Sequence, residues 1–137
     1  MNITKQTYFS EIILLIVRLL IAALMLTHGL PKLSKLMAGG EIKFANPIGL
    51  GPTISLILVV FSEVFCSILI AIGYKTRLAT IPLIITMLVA AFITHYGDGI
   101  HKQEKALLYI VVYLSILVSD EGKFSLDYLL KNIYYSK

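Results

Sequence analysis

Charge is what this chain has least of. Only 15% of its 137 residues are Asp, Glu, Lys or Arg, against 58% hydrophobic residues, and its mean hydropathy is +0.86. A soluble domain carries about 25% charged and about 45–50% apolar residues, so the composition excludes an ordinary water-soluble globule. Cysteine is nearly absent as well. Cys66 has no mate, which excludes an intrachain disulfide and a cysteine-pair redox motif. The sequence holds no glycine-rich nucleotide-binding loop, no H-E-x-x-H zinc spacing, no internal repeat and no low-complexity tract. Nothing alternates with the two-residue period of a membrane β-barrel. The first apolar segment lacks an A-x-A-like cleavage site and is interrupted by Arg18, so it is expected to stay as a helix rather than serve as a removable leader. The formal charge of +4 is scattered over segment ends, where it suits anionic lipid and not nucleic acid.

Long apolar runs are what the chain does have. Four of them, at about 11–30, 53–72, 78–96 and 104–119, approach the length of about 20 residues that crosses a bilayer. In lipid each must be a helix, because its backbone polar groups find no other partners. The expectation is an all-α integral membrane four-helix bundle, a single domain over 1–137 in contact with the lipid bilayer. His28-Gly29-Leu30-Pro31 predicts the end of the first helix, with Lys32 and Lys35 suiting the negative end of its dipole. The connection over 34–52 is rich in glycine but includes Phe44, Pro47, Ile48 and Leu50. That mixture predicts a segment lying in the interface or folding back into the bundle mouth. The short turn at 73–77 makes the second and third helices antiparallel neighbours. Apolar residues at Phe124, Leu126, Leu129, Leu130 and Ile133 predict a short amphipathic segment on the membrane surface. Lys5, Lys75, Arg77, Lys123, Lys131 and Lys137 on one side face Lys32, Lys35, Lys43, Lys102 and Lys105 on the other. The very short turn with Lys75 and Arg77 tips the expected orientation toward cytoplasmic termini.

Within these runs, Glu63 is the residue that costs most. A carboxylate in the middle of a span faces a bundle interior or a wet cavity and carries a partner. Arg18, interrupting the first run, is the expected counter-ion, either fastening two helices or forming part of a site. Cys66 and Ser67 follow Glu63 by one turn, Cys66 as a small packing residue or a redox thiol. His28, Lys32, His95, His101 and Glu104 are all expected at one end of the bundle. The histidines and Glu104 raise metal binding, but their spacing matches no metal motif, and no metal is assigned. Another reading is a quinone headgroup site. His28, Lys32, His95 and Tyr109 would donate hydrogen bonds, and Phe61, Phe65 and Phe92 would line an apolar slot. Tyr109 and Tyr113, one turn apart, would look to Arg18 and Glu63 for partners. Tyr74, Tyr96, Tyr134 and Tyr135 fall at segment ends and read as an aromatic belt.

Several of these pieces together resemble the DoxX family of small four-helix bacterial membrane proteins. They are Arg18 followed by His28-Gly29-x-x-Lys32, then Glu63, then Gly73-x-x-Thr76-Arg77-Leu78-Ala79, Glu104, and Gly122-x-x-Ser125-Leu126-Asp127, in that order. Where the family commonly has two glycines after the helix-two glutamate, this chain has Cys66-Ser67. The resemblance implies a multi-pass protein of the bacterial inner membrane, with Arg18, His28, Lys32, Glu63, Arg77 and Glu104 as its polar signature. Some relatives are subunits of thiosulfate:quinone oxidoreductase and others are associated with redox defence. The resulting expectation is a quinone-linked oxidoreductase or a membrane subunit of one. Glu63 and His28 would do acid–base work, and Arg18, Lys32, His95, Glu104 and Tyr109 would surround the quinone. The competing expectations are a non-catalytic anchor for a soluble or membrane oxidoreductase and a small-solute or proton transporter. The transporter reading would need a homo-oligomer, since four helices are few for alternating access.

Overall fold

The computed structural model describes residues 3–119 and 122–135. Lys137, counted above toward the orientation, lies outside them. Among the described residues the chain forms five helices and no strand: α1 (Ile3–Met37), α2 (Pro52–Ile72), α3 (Thr76–Thr94), α4 (Ile100–Val118) and α5 (Leu126–Tyr135). The first four run up and down, each packing on the next, and α4 closes the ring against α1. They make the expected membrane four-helix bundle, and α5 is the expected amphipathic tail.

The bundle is dressed for lipid. Leu20, Leu24, Phe65, Ile85, Leu108 and Val111 stand on its outside, while Arg18, Ser62, Glu63, Ser67 and Thr80 are buried. Apolar helices gain nothing from hiding leucine in a hydrocarbon solvent, so small and polar residues take the inside and helices adhere by close packing. Gly29 shows how close. A Cβ there would stand 2.8 Å from Val64 Cγ2 and 3.0 Å from Glu63 Cβ, so only glycine lets α1 meet α2 at this level. Three helices are long and apolar enough to cross a membrane: α1 over Tyr8–Met37, α2 and α3. In α4, Lys102, Glu104 and Lys105 crowd the first turns, and the apolar stretch follows them.

Helix α1 does not stop at Pro31. It runs through it to Met37, for about 52 Å at 1.5 Å per residue. Proline removes one backbone donor, a loss that packing against neighbouring helices makes tolerable in membrane helices. The helix ends where Gly39 takes a left-handed φ of 71°. At the other end of the bundle, Gly73 closes α2 with a φ of 72°. A Cβ on it would meet Ser125 Cβ at 2.6 Å and Arg18 Nη2 at 2.9 Å.

Those contacts place Arg18. It sits beside Gly73, and its Nη2 donates to Phe124 O at 2.7 Å. Lys123 N–H donates to Glu11 Oε2 at 2.8 Å, Asp127 N–H donates to Gly73 O at 3.0 Å, and the Tyr8 and Phe124 rings meet edge-on at 5.9 Å. Arg18 therefore fastens the start of the tail to α1 and to the α2–α3 turn. It is not the partner of Glu63. Ten residues of α2 separate Glu63 from Gly73, which is about 15 Å along the axis. Antiparallel pairing puts Gly29, not Arg18, opposite Glu63.

Candidate functional site

The partner of Glu63 is Lys32. Its Nζ lies 2.6 Å from both Glu63 Oε1 and Oε2. The carboxylate is 3% exposed and the lysine side chain 30%. Side chains on a helix lean toward its N-terminus and cover the preceding turn, so Lys32 reaches back to the level of Gly29, where Glu63 stands. Spacing along one helix could not reveal this pairing; it required the α1 helix to continue past Pro31 and carry Lys32 alongside α2.

Glu63 lies in a π-helical turn, Phe61–Cys66. The wider turn buries Ser62, Glu63 and Cys66 together, and Thr86 Oγ1 of α3 donates to Ser62 Oγ at 2.9 Å. A second π turn, Ala90–Thr94, ends α3 just before His95. Such single widened turns inside α-helices are frequent at functional sites. Hydrophobic patterning carries no signal for them, because one extra residue per turn leaves the run of apolar residues intact.

Both π turns border one cavity of about 310 Å³. Lys32 and Glu63 form its polar floor, and Leu58, Val59, Ile85 and Val89 form its apolar walls. Phe44, Ala45, Pro47 and Ile48 come from the connection between α1 and α2, which folds back onto the bundle mouth. Asn46 holds that fold: its Oδ1 accepts from Gly51 N–H at 2.9 Å and from Ser55 Oγ at 3.4 Å. Lys35 Nζ also donates to Lys43 O. His95 lines the cavity rim. Its Nδ1 is 3.0 Å from Asp98 Oδ2, and Lys102 Nζ is 3.3 Å from the same oxygen. Those two hydrogen bonds, with the Lys102 charge, hold the Asp98 carboxyl below the usual carboxylate range.

The other expected residues are distributed differently. His28 is on the exposed face of α1, its ring edge-on to Tyr109 at 6.0 Å. Tyr109 stacks on Tyr113 at 6.0 Å and lies within electrostatic range of Glu63. Tyr113 is fully buried and faces Ser67, without either hydroxyl closing a hydrogen bond of ordinary geometry. The two tyrosines thus flank the inner side of the ion pair and do not line the cavity. Glu104 and His101 are exposed on α4. Among the described residues, no three His, Cys, Asp or Glu side chains converge. Phe61, Phe65 and Phe92 are about half exposed on the outer surface, at 48%, 51% and 55%, so the slot is built from the connection and not from them. Cys66 is a buried free thiol in the core.

An ion pair beneath an apolar cavity can accept an amphiphilic ligand: Lys32 offers a charged donor, Glu63 an acceptor or proton carrier. Comparison with known proteins adds three findings. A family model described as DoxX matches residues 13–96. A protein of Haemophilus influenzae described as uncharacterized is 30% identical over 135 residues, covering 93% of this chain and 89% of that protein. No solved structure matches the chain.

Proposed function

The chain belongs to the DoxX family of membrane proteins, and on that premise we propose that it acts in the bacterial inner membrane as a quinone-linked oxidoreductase or a membrane subunit of one. The observation that carries this reading is the Lys32–Glu63 pair at the floor of a largely apolar cavity. Ligand pockets are mostly apolar with a few polar groups that fix orientation. A quinone ring suits the apolar walls, and one carbonyl oxygen would accept from Lys32. Reduction to the quinol takes two electrons and two protons. The electrons would come from a partner oxidoreductase, and the protons would pass through Glu63 and through His95 at the rim. His28, on the outer surface, is a poorer proton donor to this cavity than His95. With both termini in the cytoplasm, the orientation favoured by Lys75 and Arg77, the cavity would open toward the opposite face.

Eight tyrosines and no tryptophan make tyrosine fluorescence the natural probe. Titration of a short-chain ubiquinone into the full chain in detergent is expected to quench it and to raise the thermal midpoint. Both responses should vanish in Glu63→Gln and in Val59→Phe, which narrows the cavity from its apolar wall and adds no tryptophan. A native chain that responds to no quinone in either measurement would end this reading.

A further inference from the structure

At the end of the bundle away from Glu63 there is a second hollow, of about 370 Å³, between the α2–α3 turn, the end of α4 and α5. Among the described residues, Lys75, Arg77 and Lys131 line it, against one carboxylate, Asp127. The first turn of α3 opens beside it, and no side chain caps that turn. Helix N-termini present backbone N–H groups and the positive end of the dipole to anions. Lys75, immediately before it, is held in a left-handed conformation with φ 44°, an arrangement that carries strain in a residue other than glycine. Thr76 lines the hollow, is 6% exposed, and its Oγ1 has no hydrogen-bond partner among the described residues. A buried hydroxyl left without a partner is uncommon and asks for an explanation.

We infer that this hollow binds a phosphate group, presented by the headgroup of an anionic phospholipid at the membrane face. Three cationic side chains and an uncapped helix N-terminus converge on it, and basic pockets between membrane helices take lipid phosphates in this way. Ser119 O is already the acceptor for Arg77 Nε at 3.2 Å and Nη2 at 3.0 Å, which holds that guanidinium at the wall of the hollow. Lys75 and Lys131 supply charge from the turn and from α5, so an occupied hollow would also tie α5 to the bundle.

The test compares the full chain in nanodiscs of phosphatidylcholine with and without phosphatidylglycerol, and in detergent with inorganic phosphate, reading the thermal midpoint and lipid retention by native mass spectrometry. Phosphatidylglycerol is expected to be retained and to raise the midpoint. Each of Lys75→Gln and Lys131→Gln should weaken retention about fivefold, since a lysine near the surface contributes on the order of 1 kcal/mol toward anionic lipid. Both lysine variants should leave the lipid-free midpoint in place, which separates ligand contact from folding. Lys105→Gln, at the far end of the bundle, should change nothing. Protection by inorganic phosphate alone would support the phosphate chemistry with a free anion as its source. The inference is overturned if neither phosphatidylglycerol nor phosphate protects. Equal loss in Lys105→Gln would overturn it as well, since the effect would then be one of net charge.

Discussion

Replacing Lys32 with methionine keeps most of the side-chain volume and strips Glu63 of its counter-ion. The carboxylate is 3% exposed and both of its oxygens bond Lys32, so little water can take over. Removing one partner of a buried pair costs about 3–5 kcal/mol. A loss of about 4 kcal/mol is therefore expected. Thermal unfolding in detergent at about pH 7, followed by circular dichroism, should show Lys32→Met losing about that much relative to the native chain. Glu63→Gln added to Lys32→Met should restore most of the loss, because the stranded charge is then gone. A Lys32→Met variant within about 1 kcal/mol of the native chain would mean that Glu63 is hydrated or paired elsewhere.

Three further outcomes follow from the same geometry. Gly29→Leu drives a side chain into Val64 and Glu63, where even a Cβ would be at 2.8 and 3.0 Å; it should lower stability by about 1–3 kcal/mol and, by parting α1 from α2, weaken any cavity ligand, whereas a neutral effect would contradict the tight crossing. Arg18→Met should release the segment around Phe124 from α1 and make α5 more sensitive to limited proteolysis; unchanged cleavage would show that the tail is held without the guanidinium. The Asp98 carboxyl, lowered by its hydrogen bonds from His95 and Lys102, contributes stability above the unfolded value of about 3.9 that disappears as pH falls through the lower folded value. A carbon-13 titration of Asp98 at or above the ordinary value would refute that arrangement.

Composition and run length made the bundle legible, because lipid leaves helix as the main solution for such segments. The amphipathic tail and the inward fold of the 34–52 connection were legible for the same reason, in the placement of Phe44, Pro47 and Ile48. Glu63 stood out as a buried carboxylate. Its counter-ion did not, because Arg18 and Lys32 lie on the same helix and only the level at which α1 crosses α2 decides between them. Gly29 sets that level, through a close approach that no period in the sequence announces. Pro31 misled in the other direction: in water it would mark a helix end, and in a membrane bundle α1 continues through it. The phenylalanines pointed outward for the reason the leucines did. In lipid, a large apolar side chain on the surface meets its preferred solvent.

Separating Arg18 from Glu63 changes what each charge is for. About 15 Å apart along the axis, they interact by on the order of 1 kcal/mol even at an effective dielectric constant of about 20, too little to hold two helices together. Each is neutralised where it stands. Phe124 O and the nearby carboxylates of Asp127 and Glu11 surround Arg18, and Lys32 answers Glu63. The adhesion of α1 to α2 then rests on packing along the whole of α2, with the closest approach at Gly29. A buried ion pair can often be replaced by well-packed apolar residues with no loss of stability. Lys32 and Glu63 are therefore not needed to glue this bundle, and the lysine, partly open to the cavity, can exchange its carboxylate for a ligand oxygen. Arg18 has no such freedom: it is almost fully buried and bonded to the tail, and its work is structural.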